Sequence, residues 1–328
     1  MSRRAERELL FALIADVTAG LDARSLVIKG MSSVQHGLRT DRASADVDIL
    51  VATADSERVV AELIGRGWSV RLEDEDERVF PRHSVTLYKP GWAHDVDVHH
   101  AFPGMAPDAF TVLWEARVPF VSQLTLPLHT VSPHHALVIE VLHALRNPTR
   151  REHRASLEVL ARRAAEGTNA AELVEAARAV GAAGAIGPFI RAVWGPNLAP
   201  TELPTSDWLL RTRLVNPLAR RLYLVAAASS RRERLGLIRT AIMPRPSTLV
   251  KSSLRERVGW LEVTWRLLRR WRRGIVQLPE AVLAVARLMR AEDLSSRRAG
   301  VTPALEAFRQ GQEQADEHAR EQPDEEVE

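Results

Sequence analysis

The run Asp46-Val-Asp-Ile-Leu-Val-Ala52 alternates acidic and apolar residues before becoming wholly apolar. Side chains alternate across a β-strand, so Asp46 and Asp48 share one face while Val47 and Ile49 point to the other. From Ile49 onward both faces are apolar, the pattern of a central strand whose leading end reaches the surface. Two carboxylates side by side repel unless a cation or a proton lies between them. The chain has no cysteine, so a metal here must use oxygen or imidazole ligands, and a hard, oxygen-seeking cation such as Mg²⁺ is the natural expectation. The same crowding predicts that Asp48→Asn relieves repulsion in the metal-free protein.

The neighbouring segments supply a fold for that strand. Leu9, Leu10, Leu13, Ile14 and Val17 line one side of a predicted helix over residues 3–20, which Gly20 ends. Ser25-Leu-Val-Ile-Lys-Gly30 reads as a short strand and turn, followed by a helix over 31–38. Asp55 is expected to cap a helix reaching about residue 64. Ser84 to Lys89 and His94 to Ala101 form a predicted hairpin about Pro90-Gly91. After Ser132 the pattern turns helical, with segments predicted at 133–146, 151–167 and 170–180, and others to about residue 290; Pro196 to Pro204 and Met243 to Pro246 are the expected breaks. The fold class is therefore α/β (α+β): a small mixed sheet with flanking helices, then a mainly helical part. The expected domains are residues 1–130, 131–305 and an acidic tail, 306–328.

Three stretches carry a family resemblance: Leu26-Val-Ile-Lys-Gly30, Arg42-Ala-Ser-Ala-Asp-Val-Asp-Ile-Leu-Val51 and Val96-Asp-Val-His-His100. Together they resemble the Lys-Gly turn, the metal-binding strand and the third-acid strand of the polymerase-β-like nucleotidyltransferases, specifically an uncharacterised group with a helical C-terminal half. Pro133 to His143 is similar to the helix that follows the core in that group. The resemblance implies that Asp46 and Asp48 bridge two Mg²⁺ ions, and that Asp97 holds one ion and helps to deprotonate an acceptor hydroxyl. NTP would be the substrate, a nucleoside monophosphate the transferred group and pyrophosphate the product. Lys29, Gly30, Ser32, Ser33 and Arg42 would contact the nucleotide, at a turn whose helix N-terminus offers N–H donors to phosphate. Two departures stand out: Met31 follows Gly30 where the superfamily has serine, and His100 replaces a commoner aromatic residue.

The remaining candidates have plainer readings. Asp95 shares a face with Asp97, and the residues alone leave either as the third acid; only the resemblance favours Asp97. Lys29 at a strand end suits phosphate contact or solvent. His99 and His100 alternate across a strand, and a non-ligand role is expected of each. His134, His135 and His143 are expected to cap or to hydrogen-bond within the core. Arg42 suits either phosphate or Asp41.

Charge and hydropathy bound the partners. Residues 311–328 hold eight acids against one arginine, a net −7, which leaves +10 on the other 310 residues. A basic body suits a polyanion. Leu254 to Arg273 reads as a basic amphipathic helix with an apolar stripe through Leu254, Val258, Leu261, Trp265 and Leu268, suited to an anionic partner, either a membrane surface or nucleic acid, or to plain packing. The longest apolar run, Leu222 to Ala228, is far short of the roughly 18–20 residues a transmembrane helix needs. Residues 1–17 carry Glu6, Glu8 and Asp16, unlike a signal peptide, so a cytoplasmic location is expected. The acceptor stays open among a small molecule, a sugar, a protein side chain and an RNA end. The competing reading is a catalytically silent module that binds nucleotide or nucleic acid.

Overall fold

A computed structural model describes residues 2–41, 46–71, 79–148, 150–243 and 260–299. These fall into two compact units divided in the chain between Thr212 and Arg213, with residues 79–81 counted in the second. The boundary expected near residue 130 lies inside the first unit. The expected tail, 306–328, lies outside the described residues, as does the part of the basic segment before Trp260.

The first unit is built on a seven-stranded mixed sheet: β1 (Ser25–Ile28), β2 (Asp46–Val51), β3 (Ser69–Val70), β4 (Ser84–Tyr88), β5 (Asp95–His99), β6 (Val118–Pro119) and β7 (His129–Thr130). The spatial order is β3-β4-β5-β2-β1-β7-β6. β2 runs parallel to β5 and antiparallel to β1, and β7 runs parallel to β1. β4 and β5 form the expected antiparallel hairpin, closed by Trp92 N donating to Lys89 O at 3.1 Å, with Gly91 at φ 82°. The three two-residue strands β3, β6 and β7 were not foreseen; they are too short to show periodicity.

Each face of the sheet has its own cover. Val27, Val47, Ile49, Val96 and Val98 pack in one cluster with Leu10, Phe11 and Ile14 of α1 (Arg3–Gly20) and with Val59 and Leu63 of α3 (Thr53–Gly65). Helix α1 starts where Ser2 accepts a hydrogen bond from Ala5 N, satisfying one of its free amides. Helix α3 starts at Thr53 without a side-chain cap; Asp55 sits in its first turn and pairs with Arg58 at 3.1 Å, so the expected Asp55 cap is not formed. An acid in the first turn still favours the positive helix end.

On the opposite face, Leu26, Ile28 and Leu50 pack under α5 (Pro133–Leu145) through Leu137, Val138 and Leu142. α5 is apolar on nearly every side, as befits a helix between two layers. Its outer neighbours are α6 (Arg151–Gly167), α7 (Ala170–Ala179) and α8 (Ala183–Trp194). Their Leu160, Leu173 and Ile186 belong to the same core, which is why the helices after residue 130 belong to the first unit. Two further helices, α2 (Gly30–Gln35) and α4 (Ala109–Glu115), complete the cover, and α9 (Ser206–Arg213) follows.

The second unit contains α10 (Pro217–Ala227), α11 (Arg231–Ile242) and α12 (Trp260–Ala299). Asn216 caps α10 and Ser230 caps α11, each accepting from a first-turn amide. α10 packs on α12, whose buried Ala281, Val285 and Leu288 recur at helical spacing. No helix among the described residues is long and apolar enough to cross a membrane.

Candidate active site

The in-register parallel pairing of β2 with β5 decides which acids meet. Asp46 lies beside Asp95 and Asp48 beside Asp97, so all four occupy the face that carries Leu26, Ile28 and Leu50 farther along the sheet. Asp48 is buried and Asp97 nearly so; Asp46 and Asp95 are half-buried. Asp48, Asp97 and His99 each bring one ligand atom within 4.8 Å of the others, and they form the one such group among the described residues. His99 Nε2 lies 3.0 Å from both Asp48 Oδ1 and Asp97 Oδ2.

His99, for which a non-ligand role is expected, stands between the two carboxylates. Its position two residues after Asp97 put it on the acidic face by strand alternation alone. His100, as expected, is turned elsewhere, with Nε2 3.0 Å from Arg82 O. Asp95 is engaged by Arg71 through two hydrogen bonds of 2.8 and 2.7 Å, while Asp97 faces Asp48 and accepts from Thr86 Oγ1 at 3.1 Å.

Lys29 supplies the next charge. It sits at φ 52° in the turn between β1 and α2, a conformation costing a non-glycine residue about 1–3 kcal/mol. Its ammonium donates to Asp48 Oδ1 and lies 3.3 Å from His99 Nε2 and 5.8 Å from the Phe102 ring. Lys29 is thus largely withdrawn from solvent. Burial opposes every charge in this quartet, and the partners override it. Lys29 is raised by Asp48 and Asp97, and His99 by the same two carboxylates despite Lys29. Asp48 is lowered by Lys29 and His99, and Asp97 chiefly by His99 and then Lys29. Each of the four shifts favours the charged form of its group.

Two further histidines lie around the quartet: His83, which the sequence reading did not single out, and His143, expected to cap or to hydrogen-bond within the core. The His83 ring is 5.8 Å from that of His99, and burial first, then Arg211 and His99, push its pKa down to about 2. His143 stands 5.1 Å from His153, and burial, then Lys29 and Arg146, lower it to about 3. His135 Nδ1 lies 2.8 Å from Ser132 Oγ, a side-chain contact that leaves the helix end without a side-chain cap, and His134 lies 3.5 Å from Glu172.

The nucleotide-contact candidates divide. Gly30 lines a cavity with Asp46, Asp48, Asp41, Arg7 and Arg39. Ser32 and Ser33 do not reach it: both are buried, Ser32 Oγ meeting Thr130 Oγ1 at 2.5 Å and Ser33 donating to Glu140. Arg42 lies outside the described residues, and Asp41 instead takes Arg7 through contacts of 3.1 and 3.3 Å. Arg7 and Arg39 each keep a buried Nε without a hydrogen-bond partner among the described residues. Such donors are costly to leave unmet, and they border the acidic pair. Sequence reading missed both because Arg7 lies in α1 and Arg39 between α2 and β2, each outside the three motif stretches.

No protein-family model matches the chain, and no curated protein is significantly similar to it. Among solved structures, the chain is similar to the solution structure of the antibiotic-resistance factor ANT(2'')-Ia, at 15% identity and a TM-score of 0.36, over 54% of this chain and 91% of that one.

Proposed function

We propose that the chain is a divalent-metal-dependent nucleotidyltransferase that moves a nucleoside monophosphate from NTP to an acceptor hydroxyl and releases pyrophosphate. The observation that carries this reading is the convergence of Asp48 and Asp97, from adjacent parallel strands, on the point now held by His99 Nε2. Two carboxylate oxygens converging on one point are donors of the kind a hard cation takes. Asp46, one strand pleat away on the same face, is the third proposed ligand, and two Mg²⁺ ions are the proposed occupants. When bound, the metal polarises the α-phosphate and eases ionisation of the acceptor hydroxyl.

The chain's own residues do the rest. Asp48 and Asp97, held ionised by their neighbours, keep full negative charge for ligation. The same low pKa makes Asp97 a poor proton acceptor while His99 stays bonded to it, so its proposed role toward the acceptor hydroxyl requires His99 to turn away. Thr86 fixes the carboxylate plane of Asp97. Arg7 and Arg39, with unmet N–H groups in the cavity beside Asp46, are proposed to receive the triphosphate, with Gly30 letting the backbone approach it.

The test is incubation of the protein with α-labelled NTPs, Mg²⁺ and acceptors of the four classes: small molecules, sugars, proteins and RNA ends. Pyrophosphate release with label transfer, lost in Asp97→Asn, is the expected result. Nucleotide binding without release in any mixture would replace this reading with that of a silent binding module.

A further inference from the structure

We infer that the second unit carries a binding surface for an anionic membrane, formed by α11 and α12 lying flat on the lipid headgroups. Two sets of apolar residues run along α12. One, Ala281, Val285 and Leu288, is buried and lies in the helix that packs on α10. The other, Leu268, Trp271, Ile275, Leu278 and Val282, recurs at spacings of three and four residues and is 40–73% exposed throughout. The first set explains why α12 packs; the second is left largely open, with Trp271 alone of its members hydrogen-bonded to another helix among the described residues.

The open stripe continues onto α11. Trp271 Nε1 donates to Ile242 O at 2.9 Å, which fixes the end of α11 against α12. There Leu235, Ile238 and Ile242, again three and four residues apart, are 66%, 37% and 52% exposed. Two helices thus present apolar residues at one junction, with the indole of Trp271 between them. An indole with an apolar body and a satisfied polar edge suits the boundary between headgroups and acyl chains.

Charge identifies the occupant. Residues 264–279 contain five arginines and no acid, of which Arg269, Arg272 and Arg273 are exposed. On α11, Arg231, Arg232, Arg234 and Arg239 are exposed as well, and the lone acid, Glu233, is occupied by Ser229. A second copy of this chain would bring like charges face to face. Nucleic acid would accept the arginines but offers nothing to Ile275 and Val276, which are 73% and 74% exposed. A surface of phosphate headgroups over acyl chains satisfies both, as in helices that lie on a membrane without crossing it. This inference does not rest on the nucleotidyltransferase reading.

The experiment is flotation of the full chain with two kinds of vesicle, phosphatidylcholine alone and phosphatidylcholine containing about one third phosphatidylserine, with tryptophan emission read in parallel. The expected result is flotation with the anionic vesicles alone, a blue-shifted emission, and loss of binding as salt is raised. The double variant Leu268→Glu/Ile275→Glu, altering exposed positions, should keep the parent's circular dichroism and melting temperature while losing flotation. Reversing Arg269 and Arg273 to glutamate should weaken binding on the order of a hundredfold or more. Three outcomes overturn the inference: no flotation with anionic vesicles; equal flotation with neutral ones or of the double variant; or a concentration-dependent dimer or RNA complex abolished by the double variant, with vesicles unbound.

Discussion

The two faces of the β2–β5 pair carry opposite chemistry on alternating residues of the same strands. On one, Val47, Ile49, Val96 and Val98 are at most 3% exposed against α1 and α3. On the other, Asp46, Asp48, Asp95 and Asp97 stand in register, and the apolar cover under α5 is confined to residues such as Leu26, Ile28 and Leu50. The apolar face is explained by packing alone, each fully buried aliphatic side chain contributing about 1.5–3 kcal/mol. The acidic face is not. A buried cluster of ionisable groups such as Asp48, Asp97, His99 and Lys29 is rarely more stable than apolar residues of similar size, so its presence, with Lys29 in a strained backbone conformation, marks a place where the fold serves something other than stability.

The largest test of that contrast is Asp48→Asn. Turnover in a Mg²⁺-dependent transfer assay should fall on the order of 10³-fold or more, because the amide removes the charge that balances the metal. Stability should fall too, which reverses the expectation from crowding alone. Lys29 and His99 act on Asp48 more strongly than Asp97 does, so the amide leaves a buried cation short of its partner, a change worth about 3–5 kcal/mol when a buried pair is broken. A metal-free thermal melt as high as the parent's would mean that the quartet is not coupled as described.

The matching change on the apolar face is Ile49→Ala. At a fully buried site it should cost about 2–5 kcal/mol in denaturant unfolding, with transfer activity per folded molecule unchanged. Equal damage to kcat would erase the distinction between the faces.

Acid sharpens the comparison from the side of the histidines around the quartet. In the unfolded chain His143 titrates near 6.5, and in the fold near 3, because burial first, then Lys29 and Arg146, disfavour its charge. Between those values the unfolded state binds more protons. Stability is therefore complete above the unfolded pKa and declines as pH falls through the window, by about 2–3 kcal/mol near pH 4.5. His83, lowered to about 2, acts in the same direction. Denaturant midpoints for His143→Gln should show a shallower loss between neutral and acid pH than the parent; an identical slope would remove His143 as a contributor.

Much of the sheet was legible because β2, β4 and β5 show period-two patterns, and β1 is a short apolar run that ends at Gly30. The short strands β6 and β7 carry too few residues for any period. Apolar periodicity identifies a helix but not the core it joins, and α5, after the boundary expected near residue 130, joins the core of the sheet. At the site, Asp46 and Asp48 announced themselves by spacing. His99 falls on the acidic face by the same alternation, and a non-ligand role was expected of it because histidine packs more often than it ligates. Lys29's turn toward Asp48 rests on a backbone conformation, and Arg7 and Arg39 come from distant segments; neither leaves a local pattern.

The smallest expected effect separates two aspartates that sequence could not rank. Asp95 and Asp97 lie on one strand and one face, so alternation treats them alike. Asp95, however, is paired with Arg71, whose side chain is 46% exposed against 26% for Asp95, and Arg71 also lies 4.9 Å from the Tyr88 ring. Such a pair, open to solvent, contributes about 0.2–1 kcal/mol. Asp95→Asn should therefore lower the unfolding free energy by less than about 1 kcal/mol and leave transfer activity within about twofold, a barrier change of about 0.4 kcal/mol. Arg71→Ala should do the same apart from the lost ring contact, and the two changes together should cost less than their sum, because either one alone removes the bond. Asp97→Asn, two residues along, should behave like Asp48→Asn. If Asp95→Asn instead abolished transfer while Asp97→Asn spared it, the third acid would be Asp95, and the convergence of Asp48, Asp97 and His99 would be an electrostatic knot of the core.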